Sequence, residues 1–193
     1  RNPNRKFRPE NVSNPDILLT DAKANVTNVA WYAQNAVEFL NGHVRVETGL
    51  RYDYFRFNGE DFIEPDNSGT RGAYRLQPKF AVAVSPVDDL PLTVHFNYGR
   101  GISSQDARGV VQDPTGPAIS TTDFFQTGVS YNSRRVSVST SLFQIDRSNE
   151  QVYIPDDGSI EFAGPSRAFG YEARAALRIN RYLSFNGGLT KVM

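Results

Sequence analysis

The sequence predicts an all-β protein: an antiparallel, up-and-down transmembrane β-barrel segment of about eight strands with short periplasmic turns and long extracellular loops. Three observations lead to this prediction. Apolar and polar side chains alternate strictly from Val44 to Tyr54, which is the period of a β-strand with two different faces. The connections between such runs are alternately short and long, as in outer-membrane barrels. No run approaches the roughly 18 apolar residues that suggest a transmembrane helix.

The composition excludes several other classes of protein. The 193 residues include 21 basic and 21 acidic side chains, so the charge gives no reason to expect a nucleic-acid partner. There is no cysteine, which excludes disulfides and thiol chemistry. The sequence begins with a polar, turn-rich segment and ends inside an alternating run. We therefore expect a fragment cut at both ends, with an extracellular loop over residues 1–25 and a partial barrel over residues 26–193.

The first two strands are predicted on either side of an Asn-Gly turn. Residues 26–40 alternate, although the alanine-rich part, residues 31–40, could also form a helix. Asn41-Gly42 follows, and Asn-Gly between two alternating runs is the strongest short-range hairpin signal. It favours strands on both sides, so residues 43–57 should pair with residues 26–40.

Six further strands are predicted from the same alternation. They cover residues 75–86, 92–99, 121–131, 135–146, 166–179 and 182–193. The short connections are residues 41–42, 87–91, 132–134 and 180–181, and the long ones are residues 58–74, 100–120 and 147–165. A single amphipathic strand would fit a soluble β-sandwich equally well. The sorting of short and long connections to opposite ends favours the membrane barrel.

One face of the predicted sheet is apolar and should meet outer-membrane lipid, whereas the other carries glycines and charges of both signs. A wide, wet lumen needs such polar walls. Most of these charges are expected to form cross-strand pairs or to contact whatever fills the lumen, rather than to bind a substrate. The predicted lumen wall comprises Arg45, Glu47, Arg51, Asp53, Lys79, Glu172, Arg174 and Arg178.

The better substrate candidates follow the fourth strand, in the segment GRGISSQDARG, because it lies at the predicted outer rim. They are Arg100, Gln105, Asp106 and Arg108. Arginine guanidinium groups suit carboxylate or catecholate-type anions because they donate paired hydrogen bonds. Long exposed loops are polar in any case, so the same residues would also fit a loop with no ligand.

Catalytic and metal chemistry are not expected. His43 and His95 are the only histidines, and neither has a histidine or cysteine partner nearby in the sequence. Asp156-Asp157-Gly158 has the beginning of a calcium-loop pattern without its full spacing, so we expect a turn. No Gly-x-Ser-x-Gly nucleophile elbow occurs. The sequence thus predicts a protein that is not an enzyme and has no cofactor or metal site.

Several segments, taken in order, resemble the barrel of TonB-dependent outer-membrane receptors and transporters. They are AWYAQNAVEF followed by RVETGLRYDY, LQPKFAVAVSP followed by VHFNYGRGISSQDARG, DFFQTGVSYNSRRVSVSTSLFQIDRSNE, and FGYEARAALRINRYLSFNGGLT. The resemblance covers most of residues 26–193. The family's N-terminal plug, its TonB-contacting box and its aromatic C-terminal strand end have no counterpart here. The resemblance therefore implies a partial barrel without the plug domain.

The resemblance also implies a function. Such transporters sit in the bacterial outer membrane, bind a scarce nutrient such as a ferric siderophore, cobalamin or an oligosaccharide, and import it with energy from the TonB complex acting through the plug. Two alternatives remain: a self-contained small outer-membrane barrel or porin, and a secreted carbohydrate-binding β-sandwich. A small barrel requires its first and last strands to pair, whereas a transporter segment leaves them apart.

Overall fold

A computed structural model describes residues 21–63, 65–112, 115–154 and 159–193. The strand bounds are β1 Ala22–Phe39, β2 Val44–Asp61, β3 Gly69–Val84, β4 Leu92–Ser104, β5 Ile119–Asn132, β6 Val136–Arg147, β7 Glu150–Ile154, β8 Ser159–Ala163, β9 Ser166–Arg178 and β10 Ser184–Val192. Eight strands form one sheet in the order β1-β2-β3-β4-β5-β6-β9-β10, while β7 and β8 form a separate hairpin. Every pairing among the described strands is antiparallel, which confirms the predicted up-and-down, all-β fold.

The turn between β1 and β2 contains the positive φ angles expected at Asn41-Gly42, but it covers residues 40–43 rather than the predicted two, and Leu40 also has a positive φ of 53°. Asn41 and Gly42 have φ values of 57° and 91°, and the N–H of His43 donates to the carbonyl of Leu40 at 3.1 Å. Two successive positive φ angles define the turn whose twist matches paired strands, and asparagine and glycine adopt them at least cost. The chain is a strand as far as Phe39, so the helical alternative for residues 31–40 is wrong.

The long connections differ from the prediction, because much of each one is regular structure. The predicted loop over residues 58–74 is mostly strand, since β2 runs on to Asp61 and β3 already begins at Gly69. The predicted loop over residues 100–120 contains the end of β4, a short helix α1 (Ala107–Gln112) and the start of β5. Strand β1 likewise begins at Ala22, inside the predicted loop of residues 1–25.

Two of the predictions fall wholly or partly on parts of the chain outside the described residues. The third predicted long connection, residues 147–165, holds β7 and β8 with undescribed residues between them. The turn expected at Asp156-Asp157-Gly158 lies in that gap, and residues 1–20 of the predicted N-terminal loop also lie outside the described ranges. The strands within the long connections were not predicted because their sequence is polar. Backbone pairing in a sheet does not require apolar side chains on both faces.

The main sheet is a single layer with one apolar face that nothing in the described part of the chain covers. The large hydrophobic side chains of this face are exposed; they include Trp31, Leu50, Phe80, Phe96, Leu142, Leu177 and Phe185. In a soluble sandwich these rows would lie against a second sheet. An exposed apolar face on a single-layer sheet is the arrangement in which one face meets lipid.

The two ends of the sheet remain apart. Among the described residues β1 pairs only with β2, and β10 pairs only with β9. A self-contained eight-stranded barrel would require β1 to pair with β10, and this pairing is not present. No described helix is both long enough and apolar enough to cross a membrane.

Candidate functional site

The predicted lumen charges lie on one face of the sheet. The pairing register of the strands shows this shared face, because residues paired directly across neighbouring strands lie on the same face of the sheet. For example, Arg45 pairs with Ala83, Ala83 with His95, and the row continues across the sheet to Glu172 on β9. The same reasoning places the other predicted wall residues on this face, which we call the polar wall; they are Glu47, Arg51, Asp53, Lys79, Arg174 and Arg178.

Most charges of the polar wall are paired with one another. Arg45 contacts Glu47 at 2.7 Å and Glu38 at 3.3 Å, and Arg174 contacts Glu172 at 3.4 Å. The two arginines of these pairs are more than half exposed, so water screens the attraction and each pair contributes little to stability. Their main effect is to keep the wall hydrophilic without a large net charge.

The Asp53 carboxylate is the exception, because its side chain is only 2% exposed. Arg51 donates two hydrogen bonds to it, at 2.7 and 2.9 Å, from Nε and Nη2. Gln77 of β3 donates at 2.5 Å and Asn28 of β1 donates at 3.1 Å. The carboxylate therefore joins three strands, and its charge is compensated by an arginine and two amides, as a buried acid requires. The sequence placed Arg51 and Asp53 on one face of β2 but predicted neither their ion pair nor the two amides, since pairing between distant strands has no local signature.

Two shallow depressions lie on the polar wall. One, of about 270 Å³, has Tyr32, Gln34, Glu47, Lys79 and Asn97 among its lining residues. The other, of about 440 Å³, lies over β6, β9 and β10; its lining includes Ser137, Ser139, Arg174, Asn186 and Gly188. The wall thus carries long charged and aromatic side chains over β1–β4 and mostly short ones over β6–β10.

Beyond the polar wall, the connection between β4 and β5 folds against the ends of β2 and β3 that lie away from the short turns. Val110 of α1, Ile119 at the start of β5, and Phe57 of β2 are all at most 1% exposed, and they form one cluster with Phe55. Phe55 and Phe57 alternate in phase with Arg51 and Asp53, so α1 packs on the polar-wall side of the sheet. We call this arrangement the rim cluster; its other members are Ala107 and Ala118, with Ala73, Ile102 and Val111 packed against it.

Hydrogen bonds and close packing hold the rim cluster together. Arg71 of β3 donates to the carbonyls of Val110 and Gly116, at 3.2 and 2.8 Å. The glycines of β2 and β3 leave room for α1: a Cβ at Gly69 would lie 3.1 Å from Cγ1 of Val111. Each fully buried Phe, Ile or Val side chain contributes about 1.5–3 kcal/mol to such packing. The sequence signal for this cluster was the pair Phe55 and Phe57, which interrupts the polar row of β2.

Three of the four predicted rim residues belong to this connection. Gln105 donates from its side chain to Ser120 at 2.9 Å, and from its backbone to Ala118 at 3.1 Å. Asp106 lies immediately before α1 and accepts from the backbone N–H and the guanidinium of Arg108. Burial raises the pKa of the Asp106 carboxyl, but the hydrogen bonds and charge of Arg108 outweigh it, so that pKa lies below its ordinary value of 3.8.

Arg100, the fourth predicted rim residue, lies elsewhere. It alternates in phase with Phe96 and Tyr98, on the face opposite the polar wall. Its guanidinium donates to both carboxylate oxygens of Asp123, at 2.8 and 2.9 Å, and Asp123 also accepts from the Tyr98 hydroxyl at 2.8 Å. The row continues across the sheet to Asp146 of β6, which pairs with Arg167 of β9 at 2.6 Å.

This outward row of charges lies where an apolar band should end. On β9, Leu177 near the short-turn end and Arg167 are ten positions apart. Ten residues extend about 33 Å along a strand, or about 25 Å along the barrel axis at a tilt of about 40°, which is the height of a typical apolar band. Phe169 lies just below Arg167 on the same face, as an aromatic girdle would. The placement of Arg100 favours a role at the lipid boundary.

The histidines form no metal site. His43 contacts the carbonyl of Ser85 at 2.7 Å and Asp88 at 3.0 Å, which joins the two short turns beside it. His95 lies on the polar wall opposite Gly128. No group of three potential ligands occurs in the described ranges.

Comparison with known proteins identifies the family. A family model described as "TonB dependent receptor-like, beta-barrel" matches residues 1–191. The chain belongs to the TonB-dependent receptor β-barrel family. No curated protein matches the sequence.

Solved structures of this architecture agree with the assignment. They include the copper transporter OprC (15% identity, TM-score 0.68, covering 88% of this chain and 29% of that one) and the FrpB iron transporter of Neisseria meningitidis, F3-3 variant (18%, 0.68, 88% and 26%). BauA, the ferric preacinetobactin receptor of Acinetobacter baumannii, is 17% identical, with a TM-score of 0.67, covering 99% of this chain and 28% of that one.

These identities establish a shared fold only, and the chain spans less than a third of each of these TonB-dependent-receptor-like relatives. The resemblance inferred from the sequence is confirmed, as is the partial barrel, and none of the described residues forms a plug. The family and its structural neighbours are transport proteins without enzymatic activity, which confirms that expectation too.

Proposed function

We propose that this chain is part of the wall of an outer-membrane active transporter that binds and imports a scarce nutrient with TonB-derived energy. The observation that supports this most directly is the two-faced, single-layer sheet. Its polar wall carries paired charges, while its opposite face is an exposed apolar surface bounded by aromatic side chains. Together with membership of the TonB-dependent receptor family, this fits a bacterial outer-membrane barrel with a wide aqueous interior.

The proposed partners follow from this assignment. Outer-membrane lipid would cover the apolar face. An N-terminal plug domain would fill the lumen against the polar wall and transmit energy from the TonB complex. The nutrient would bind above the plug, near the rim cluster, where Gln105, Asp106 and Arg108 lie. Two of the neighbours described above are an iron transporter and a ferric-chelate receptor, so ferric siderophores come first among the candidate ligands, before cobalamin and oligosaccharides.

The alternatives to an active transporter have less support. A self-contained small barrel needs its first and last strands to pair, and β1 and β10 do not pair in the described structure. A carbohydrate-binding sandwich needs a second sheet against the apolar face. A porin remains the alternative that experiment must separate from active transport, since its wall would have the same two faces.

Uptake by the complete protein tests the proposal. The full-length parent would be produced in a bacterium lacking its own siderophore and cobalamin receptors, with and without TonB. Uptake of radiolabelled ferric siderophores, cobalamin and oligosaccharides would then be measured. We expect saturable uptake of one of these classes that is lost without TonB. Uptake that is unchanged without TonB and linear in concentration would instead indicate a porin, and no TonB-dependent uptake in any class would refute the proposal.

A further inference from the structure

The connection between β4 and β5 turns inward rather than standing above the barrel. Its helix α1 packs on the polar-wall side of β1–β3, because the residues it contacts on β2, Phe55 and Phe57, share a face with Asp53. It therefore occupies space on the lumen side of the sheet, at the extracellular end.

Four independent features fix the segment in that position. Its apolar side chain Val110 is 1% exposed, against Phe57 at 0%. Arg71 holds the carbonyls of Val110 and Gly116 from the neighbouring strand. Val111 packs closely over Gly59 and Gly69: a Cβ built at Gly69 would lie 3.1 Å from Cγ1 of Val111, and one built at Gly59 would lie 3.5 Å from Cγ2.

The fourth feature is that both ends of the connection are anchored. Gln105 donates hydrogen bonds to Ala118 from its backbone and to Ser120 from its side chain, which joins the two ends of the segment. A loop that opens and closes would require exposed contacts and few buried apolar side chains. This segment has the opposite properties.

We propose that the segment around α1 is a fixed part of the mouth, a selectivity rim that narrows the lumen over β1–β3 and holds Asp106 and Arg108 beside the path of the nutrient. It stays docked during binding and uptake, so it acts by restricting the size and charge of what passes. The proposal rests on the transport function proposed above.

A reversible cross-link tests whether the rim moves. The Cβ of a side chain at Gly59 would lie 3.6 Å from Cβ of Val111, within the range that a disulfide spans. Because the chain has no cysteine, the double variant Gly59→Cys/Val111→Cys in the complete protein contains no competing thiol from this segment. Uptake of the ligand class identified by the transport assay would be compared in oxidised and reduced cells.

We expect the disulfide to form readily and uptake to stay within about twofold of the parent in both states. Uptake that falls tenfold or more on oxidation and returns on reduction would show that the segment must move, and would overturn the proposal. Failure of the disulfide to form would contradict the docked geometry itself. If the unmodified parent shows no TonB-dependent uptake, the transport proposal fails, and a labelling experiment still decides this one.

Labelling needs no ligand. In intact cells carrying the complete protein, Val110→Cys would be treated with a membrane-impermeant maleimide, with Phe62→Cys as the control because Phe62 is 60% exposed in the adjacent β2–β3 connection. A fixed rim predicts labelling of Val110→Cys at least tenfold slower than the control. Labelling at equal rates would show that α1 leaves the sheet, and would refute the proposal.

Discussion

The assignment of the two sheet faces can be tested by placing an arginine on each at the same depth. Leu50 lies on the apolar face, paired with Ala33 and Pro78. Six positions separate it from Val44 at the lower end of β2, or about 15 Å along the axis at a tilt of about 40°. Leu50 is therefore close to the middle of an apolar band about 25 Å high.

Leu50→Arg should be strongly destabilising. An arginine facing lipid at the mid-plane costs about 2–4 kcal/mol, which corresponds to a decrease of roughly 30- to 800-fold in the folding equilibrium constant. The matched control is Gln34→Arg, because Gln34 pairs with Gly49 one position away, on the polar wall. There the guanidinium remains in an aqueous lumen, and the cost should be below about 0.5 kcal/mol.

The measurement is urea unfolding of the complete barrel refolded in phospholipid vesicles, followed by tryptophan fluorescence and by the heat-dependent shift in electrophoretic mobility. Equal destabilisation by the two variants would refute the assignment of faces. A larger effect of Gln34→Arg would invert it.

Three further outcomes follow from the geometry. Asp53→Ala should lower the unfolding free energy by about 1–3 kcal/mol in the same urea assay, because three hydrogen-bonded groups lose their shared acceptor, while Asp53→Asn should cost less. Since the pKa of Asp106 is lower in the folded state, its contribution is complete at neutral pH and is lost as the pH falls below about 3.8. At pH 5 pepsin should therefore cleave Asp106→Asn near α1 faster than the parent, and at pH 2 the two rates should be equal; the same ratio of rates at both values would contradict this. Arg100→Ala should leave the ligand affinity, measured by direct binding, within twofold of the parent, because the Arg100 guanidinium faces away from the polar wall and is held by Asp123. Arg108→Ala should weaken binding severalfold. The reverse result would show that Arg100 is a ligand residue.

The extent of the strands was only partly predictable, and β2 shows why. The alternation from Val44 to Tyr54 indicates where one face of the strand is apolar and the other is polar. Beyond this stretch neither face needs to be apolar, so Asn58, Gly59 and Glu60 contain no alternation although their backbone pairs with β1. Sequence patterning therefore located the two-faced part of the strand and missed its polar extension to Asp61.

The candidate site was predictable to a similar degree. The register places the predicted wall residues, such as Arg51 and Lys79, on one face, because period two determines the face within each strand; their role as a lumen wall stays a prediction. The sequence did not show that Arg100 lies on the face opposite the predicted lumen, because the predicted strand ends at Gly99 and β4 continues to Ser104. Nor could it show that α1 packs on Phe57, a contact between residues far apart in the sequence.

The sequence by itself thus determined the class of fold, the order of strands, the hairpin at Asn41-Gly42 and the membership of a family of barrels. These features depend on local backbone preference and on period-two patterning, and both can be read within one strand or turn. Only the tertiary structure decided how the long connection after β4 folds, which acid is buried, and which arginine lies on the face opposite the polar wall. Those outcomes depend on packing between strands that meet only after the sheet has formed, and the free energy of such contacts has no local trace in the sequence.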